Sequence, residues 1–290
     1  MIATRDEARE ALRGALDVRR RAGVSKLDPV CVYDLAQRME LEVRFAGGGS
    51  FGGMYERRSQ TVVVPSLRPP GRRAYSCAHE MGHWYFRHGT RVDRAEDFEQ
   101  LHERAPDERL ANLFAGYLLM PQWAVEAQFD ARGWQPSSAT PMQIYVVAGV
   151  LGVGYSTLVQ HLCWSLQLLD RTRVEELLRT TPKQLRFALL GDDAVPHILA
   201  ADRDWPMHLP IDLQVGEGAI VPHDAAIDGN SAVVKRAVDT GSLLVATAPG
   251  VSRIESARER WSVFLRVSRR DFAGRSIYRH LEDCDVNAIA

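Results

Sequence analysis

The segment SCAHEMGHWYFRHG, residues 76–89, holds three histidines and one glutamate, residue types that bind metals. His79, Glu80 and His83 form the pattern H-E-x-x-H. On an α-helix, residues i and i+4 lie on one face, so both imidazoles can bind a single Zn²⁺. A carboxylate at Glu80 can act as general base on a zinc-bound water, whose pKa the metal lowers toward about 7. The pattern predicts a hydrolytic zinc site. The alternative is two histidines with separate structural roles beside an unrelated glutamate.

A catalytic zinc usually has three protein ligands and one position open for water. The nearby candidates for the third ligand are His88, His102, Glu103, Asp107 and Glu108. If the helix continues past His83, His88 lies about 140° round it, so we expect His88 at the helix end and outside the ligand set. Glu108 is the better candidate, because it shares a helix face with Asn112 in the segment PDERLANLFAGYLLM. A solvated first-turn carboxylate, favoured by the helix dipole, is the open alternative for Glu108.

The elements that must position these residues follow from hydrophobic spacing and turn residues. The pattern predicts four helices, over residues 5–21, from Asp28-Pro29 onward, over about 72–87 and over about 106–119. It also predicts a strand at 41–46 and a hairpin at 51–65, with the polar residues ERRSQ at the hairpin tip. Residues 89–105 are polar and predict a loop.

Beyond residue 140 the predicted secondary structure is first helical and then strand-rich. Residues 140–169 predict a helix, a turn at Gly152–Gly154 and a second helix, which is the outline of a helix-turn-helix. After about residue 190, short strand-like runs alternate with Gly, Pro and Asp-Gly, a pattern typical of a small barrel or sandwich. The final segment GRSIYRHLEDCDV predicts a closing helix.

Composition excludes several classes of protein. The 290 residues are 46% hydrophobic and 25% charged, with a formal net charge of −1, so no global field favours nucleic acid or an anionic membrane. The N-terminus lacks the apolar core of a secretory signal, and no run of 18 apolar residues exists. The four cysteines are scattered and form no CxxC pair, which favours reduced thiols. We therefore expect a cytoplasmic protein with no membrane partner.

Three segments resemble the ImmA/IrrE family of zinc metallo-endopeptidases, also described by the COG2856 or DUF955 domain. LDPVCVYDLAQRMELEVRF is similar to the helix-strand entry of that family. RPPGRRAYSCAHEMGHWYFRH resembles its active-site helix, and ERLANLFAGYLLMP closely resembles its E-x-x-x-N-x-F-A-x-x-L-L-M-P helix. The resemblance covers roughly residues 25–170, and the two motifs together are far more specific than either alone.

The resemblance implies that His79, His83 and Glu108 bind Zn²⁺ and that Glu80 is the catalytic base. Many relatives carry a second glutamate just before the Ala-Asn pair, where this chain has Leu110. Asn112 is a candidate to orient Glu108 or its helix, with a local backbone bond as the equal alternative.

The implied fold is α+β in three parts. A mainly helical zincin-like peptidase domain with a small N-terminal β-sheet occupies residues 1–135. A helix-turn-helix-like helical subdomain follows at 136–190, and a β-rich C-terminal domain, expected to sense a signal, at 191–290.

The resemblance also implies a function, namely cleavage of a helix-turn-helix (XRE-type) transcriptional repressor that derepresses a stress, mobile-element or anti-phage response. The alternative is a non-proteolytic binding protein of the same fold that acts by contact with a repressor or DNA. An intact Glu80 disfavours it, since a structural metal site needs no general base. DNA binding by residues 140–169 is also disfavoured, because the second helix has no basic residue before Arg171.

A cluster of arginines near the C-terminus is a candidate site for an activator. Arginines interleaved with aromatic residues can bind single-stranded DNA or a nucleotide through charge and stacking. The candidate residues are Arg266, Arg269, Arg270 and Arg275. The alternative is an ordinary solvated strand face.

Overall fold

The structure is a computed structural model that describes residues 4–48, 51–89, 91–94, 105–192 and 194–282. The chain divides into two compact units, the first ending at Leu185 and the second beginning at Arg186. Helices dominate the first unit and strands the second, which confirms the α+β class.

The first unit contains eight complete helices among the described residues, and a ninth crosses the unit boundary. They are α1 (Arg5–Arg21), α2 (Val32–Arg38), α3 (Pro70–Tyr85), α4 (Pro106–Leu119), α5 (Gln122–Asp130), α6 (Pro141–Val150), α7 (Tyr155–Trp164), α8 (Arg171–Leu178) and α9 (Pro182–Leu190). Its strands are β1 (Glu42–Ala46), β2 (Phe51–Glu56), β3 (Thr61–Pro65) and β4 (Arg91–Arg94).

The strands of the first unit run in the order β1-β3-β2-β4. β2 and β3 form the predicted antiparallel hairpin, and β1 pairs with β3 in parallel. At the hairpin tip the Glu56 carboxylate accepts the backbone N–H groups of Arg58 and Ser59, which satisfies donors that the turn leaves open. β4 falls within the segment expected to be loop and adds an antiparallel strand beside β2.

Close packing of α3 on α4 sets the geometry of the unit. A Cβ built on Gly82 of α3 would lie only 2.9 Å from the Cα of Ala111 on α4, so only glycine allows the two backbones this approach. Phe114 and Leu118, one and two turns beyond Ala111, are fully buried. This contact brings the first turn of α4 beside the histidines of α3.

The second predicted helix begins later than expected, at Val32 instead of Asp28. The cause is Arg19, which is 1% exposed and extends its guanidinium from α1 to three backbone carbonyls. It donates to the carbonyl of Leu118 at 2.7 Å, to that of Ser25 at 2.9 Å and to that of Asp28. The Asp28 carbonyl is thus engaged outside any helix, and the segment up to Cys31 stays non-helical.

The helix-turn-helix outline over residues 140–169 is present as α6, a turn and α7. Thr140 and Gln143 form a reciprocal capping box that begins α6. Most of α7 is buried, and its exposed side is a stripe of Ser156, Gln160 and Trp164. Among the described residues no single helix is long and apolar enough to cross a bilayer. α6 and α7 meet that test only as a pair bent by 98°.

The second unit is built from short strands. They are β5 (Ile198–Ala200), β6 (Ile211–Gln214), β7 (Gly218–Val221), β8 (Ala226–Asp228), β9 (Ala232–Val238), β10 (Gly241–Ala246), β11 (Gly250–Ser256), β12 (Trp261–Ser268) and β13 (Gly274–Arg275). Eight of them form two four-stranded sheets, with orders β5-β7-β10-β9 and β6-β12-β11-β8. The β-rich prediction for the C-terminal part agrees with these strands. One apolar cluster of this unit contains Leu190, Val195, Ile198, Ile220 and Leu243.

The predicted closing helix is wrong for the part that the structure describes. Residues 274–282 form β13 and a single 3₁₀ turn, Ser276–Tyr278, while 283–286 lie outside the described residues. Arg279 turns back on this segment, donating to the Ser276 carbonyl at 2.9 Å and lying 3.5 Å from the Asp212 carboxylate. These contacts favour a single tight turn over a continuing helix.

Candidate metal centre

Two histidines of α3 face each other one turn apart. His79 and His83 are 1% and 2% exposed, and their Nε2 atoms are 3.0 Å apart. The i, i+4 spacing thus brings both imidazoles to one point, as the sequence pattern requires. α3 begins with Pro70 in its first turn, a position that suits proline because the first N–H groups of a helix have no partner within it.

Glu108, in the first turn of α4, completes a three-residue cluster. Its Oε2 lies 3.3 Å from Nε2 of His79 and its Oε1 lies 3.5 Å from Nε2 of His83. Burial acts to raise the pKa of the Glu108 carboxyl, but the bonds and charges of His79 and His83 outweigh it and lower that pKa well below its ordinary range. Glu108 is therefore an ionised group aimed at the histidines, and its surroundings differ from those of a solvated first-turn carboxylate.

The three side chains fit a divalent metal ion. Each offers one ligand atom, and these atoms lie within 4.8 Å of one another. A tetrahedral ion with bonds of about 2.0–2.1 Å holds its ligand atoms about 3.3 Å apart. The two Nε2 atoms are 3.0 Å apart, and each lies 3.3 or 3.5 Å from a different oxygen of the Glu108 carboxylate, separations close to that value. Two imidazole nitrogens and one carboxylate oxygen also form a donor set that zinc accepts in hydrolytic enzymes.

Glu80 follows His79 on α3 and is 1% exposed. β2 passes directly over its carboxylate, where a Cβ built on Gly53 would lie 2.5 Å from Oε1. Only a residue without a side chain leaves room for the carboxylate in this position. Gly53 was not among the predicted site residues, although paired glycines inside a predicted strand signal a close approach of the backbone to another group.

His88 lies just beyond the end of α3 and outside the His79–His83–Glu108 cluster, as expected, but its position relative to His83 differs from the expected one. α3 ends at Tyr85 and Arg87 adopts a left-handed conformation with φ +59°. The N–H of His88 then bonds the carbonyl of His83 at 2.9 Å, which closes a Schellman turn. The ring of His88 is folded back so that its Nδ1 lies 2.9 Å from Nδ1 of His83. The expected 140° separation fails because the helix does not continue.

Three other candidates for the third ligand are placed as follows. Asp107 lies beside the cluster with its Oδ1 3.8 Å from Nε2 of His88. His102 and Glu103 lie outside the described residues.

The side chain of Asn112 bonds to local backbone, which was one of the two roles expected for it. Its Nδ2 donates to the carbonyl of Glu108 at 2.8 Å, and its own carbonyl accepts the Tyr75 hydroxyl at 3.0 Å. The bond from Tyr75 ties the backbone of α4 to α3, one turn beyond Glu108.

The C-terminal arginines have different environments. Arg266 forms two bonds of 2.6 Å to the Asp212 carboxylate, so its charge is compensated inside the second unit. Burial would raise the pKa of Asp212, but Arg279 and Arg266 lower it to about 2. Arg275 lies over the Tyr278 ring, and Arg269 and Arg270 are exposed. Of the four predicted residues, Arg266 is therefore engaged in an internal ion pair.

The helices and the His₂Glu cluster define a metallopeptidase-type domain, and comparison with known proteins agrees with this class. Residues 36–160 match the family model Peptidase_M78, the IrrE N-terminal-like domain. This range runs from α2 into α7 and includes every residue of the metal cluster. Residues 36–160 are thus similar to the N-terminal domain of the ImmA/IrrE family, in agreement with the resemblance seen in the sequence.

A search of the curated proteins finds no significant match. Among the solved structures that match is a Mycobacterium tuberculosis transcriptional regulator, 20% identical with a TM-score of 0.36. The match covers 55% of this chain and 47% of that one, so it spans less than half of the regulator's length. A likeness of this size carries no argument about fold or function.

Proposed function

We propose that the protein is a zinc-dependent endopeptidase. The convergence of His79, His83 and Glu108 on one point, with Glu80 adjacent in the chain, is the observation that carries the proposal. It is supported by the family of the domain, in which metal dependence is typical. The donor set admits other first-row ions, and zinc is the ion that two histidines and a glutamate most often bind in hydrolases.

Bound zinc would supply a Lewis acid that polarises the scissile carbonyl and lowers the pKa of water. His79, His83 and Glu108 would hold the ion. Glu80 would accept a proton from the attacking water and pass it to the leaving amine. Gly53 leaves the space that the Glu80 carboxylate occupies, and the surrounding burial shields that carboxylate from bulk solvent.

The proposed substrate is a helix-turn-helix repressor of the XRE type, cut once to release repression. Similarity to this family supports this substrate class, and the role in a stress, mobile-element or anti-phage response follows from it. We also propose a cytoplasmic location. Single-stranded DNA or a nucleotide is the proposed activator, and Arg269, Arg270 and Arg275 are the exposed arginines of the predicted cluster.

The test is incubation of the zinc-loaded chain with the repressor encoded beside its gene, with and without single-stranded DNA. Mass spectrometry of the products identifies the bond that is cut. We expect one metal-dependent cut that a chelator abolishes and added zinc restores. Intact repressor under every condition, with zinc bound and both proteins folded, would favour the non-proteolytic alternative.

A further inference from the structure

We propose that His88 is a positioning residue for the metal centre, holding His83 in the tautomer and orientation that binds the ion. This inference rests on the proposed metal site. Its basis is the 2.9 Å separation of the two Nδ1 atoms, on the side of the His83 ring away from the cluster. The Nε2 atom of the same ring faces His79 and Glu108.

The position of one proton follows from metal binding. An imidazole that binds a metal through Nε2 carries its hydrogen on Nδ1, and that N–H needs an acceptor. Nδ1 of His88 is within hydrogen-bond distance of it. His88 must then carry its own hydrogen on Nε2, the nitrogen 3.8 Å from the Asp107 carboxylate. The hydrogen-bond donors of these residues therefore point the same way. Nδ1–H of His83 donates to His88, and Nε2–H of His88 faces the Asp107 carboxylate.

Packing fixes the His88 ring in this place. The ring is stacked on Phe86, with ring centroids 5.8 Å apart and an interplanar angle of 24°. It also packs edge-on against the ring of His83, with centroids 5.1 Å apart. Its side chain is 10% exposed. The Schellman turn at Arg87 sets the backbone from which it projects. A ring held on these sides can restrict rotation of His83 in a way that a solvating water cannot.

Coordination of the same ion by His88 conflicts with this geometry. His88 approaches His83 at Nδ1, whereas the cluster forms at Nε2, and these two nitrogens lie at separate corners of the imidazole ring. His88 therefore acts through His83. Groups that hydrogen-bond a metal-bound histidine in this manner typically change metal affinity by about 10–100-fold when removed.

The test compares zinc affinities of the full chain by competition with a chromophoric chelator. His88→Leu removes the acceptor, whereas His88→Asn offers an amide oxygen near the position of Nδ1. His223→Ala, at an exposed histidine of the second unit, is the matched control. We expect zinc binding about 10–100-fold weaker in His88→Leu, affinity within a few-fold of wild type in His88→Asn, and no change in the control.

Two results would overturn the proposal. One is wild-type affinity in His88→Leu. The other is equal weakening by Leu and Asn, which would mean that only the shape of the ring matters.

An independent measurement uses the wild-type chain alone and does not depend on the folding of a variant. Nitrogen-15 NMR of the zinc-loaded protein reports which ring nitrogen of each histidine carries hydrogen. Hydrogen on Nδ1 of His83 and on Nε2 of His88 supports the proposal, and the reverse arrangement contradicts it. If the wild type binds zinc but cuts no repressor, the proposed function fails while these two measurements still decide the role of His88.

Discussion

Replacing Gly53 with alanine tests the assignment of Glu80 without altering any candidate metal ligand. The new methyl group would lie 2.5 Å from Oε1 of Glu80 and 3.1 Å from its Cγ and Cδ atoms. Carbon and carbonyl-type oxygen approach to about 3.3 Å, so the Oε1 atom must move by roughly 0.8 Å. The backbone at Gly53 tolerates alanine, because its φ lies outside the left-handed region. The substitution therefore acts on the Glu80 carboxylate.

A displacement of about 1 Å at a reacting group costs on the order of 100-fold in rate. We expect kcat/KM for repressor cleavage to fall about 100-fold in Gly53→Ala, equivalent to about 2.7 kcal/mol of transition-state stabilisation. Zinc content should remain that of the wild type, since the three atoms nearest the new methyl group all belong to Glu80, which is not one of the three candidate ligands.

The matched control is Gly47→Ala, where a Cβ meets only the Ser66 hydroxyl at 3.8 Å, an ordinary contact. Cleavage is followed by gel or mass spectrometry at several repressor concentrations, together with metal analysis and a thermal melt. A rate within threefold of wild type in Gly53→Ala would refute the reasoning. So would loss of zinc, because the methyl group would then act on the ligands and not on Glu80.

Three further substitutions test other parts of the account. Glu108→Gln removes the anionic ligand, so we expect zinc affinity, measured by chelator competition, to fall by more than about 100-fold. The control Glu126→Gln, on α5, should have no effect. Equal affinities in the two variants would remove Glu108 from the ligand set. Arg19→Met removes the donor from one buried carbonyl and two partly buried ones, and it should cost about 2–4 kcal/mol in the free energy of unfolding from urea titration. Exposed Arg20→Met should cost less than about 0.5 kcal/mol. Similar losses in both would contradict that role. Burial lowers the pKa of His161 to about 4, so the unfolded chain protonates first as pH falls below 6.5. Stability is therefore lost between pH 6.5 and 4, by up to about 3 kcal/mol. Urea titrations at pH 7 and 4.5 should show a smaller loss in His161→Gln, and an equal loss in both proteins would exclude this histidine as the cause.

Local patterns were enough to predict the helix that carries His79 and His83, because the i, i+4 relation is a property of one helix. The third ligand could not be chosen from the residues alone. Its position depends on how closely α3 and α4 pack, and that distance is set by Gly82 against Ala111. The residues alone favoured Glu108 but left a solvated first-turn carboxylate as the alternative, and the family resemblance selected Glu108 as a ligand.

The errors in prediction have related causes. The expected 140° separation of His88 from His83 was wrong because α3 ends at Tyr85. A left-handed Arg87 before Gly89 gives no sequence signal, since glycine usually occupies that place. The late start of α2 depends on Arg19, a residue in another helix. At 274–282, where the helix is absent, Arg279 contacts both the nearby Ser276 carbonyl and Asp212, which is distant in the chain. For α2 and for this segment, a contact with a residue far along the chain accompanies the departure from the local preference.

The central claim is that this site hydrolyses a peptide bond with Glu80 as its base. The most direct measurement is repressor cleavage by the zinc-loaded wild type and by Glu80→Gln, prepared with equal metal content. The account predicts a single cut by the wild type and no detectable cut by the variant, with zinc affinity unchanged. Equal cleavage by both proteins, or cleavage by neither, would contradict it.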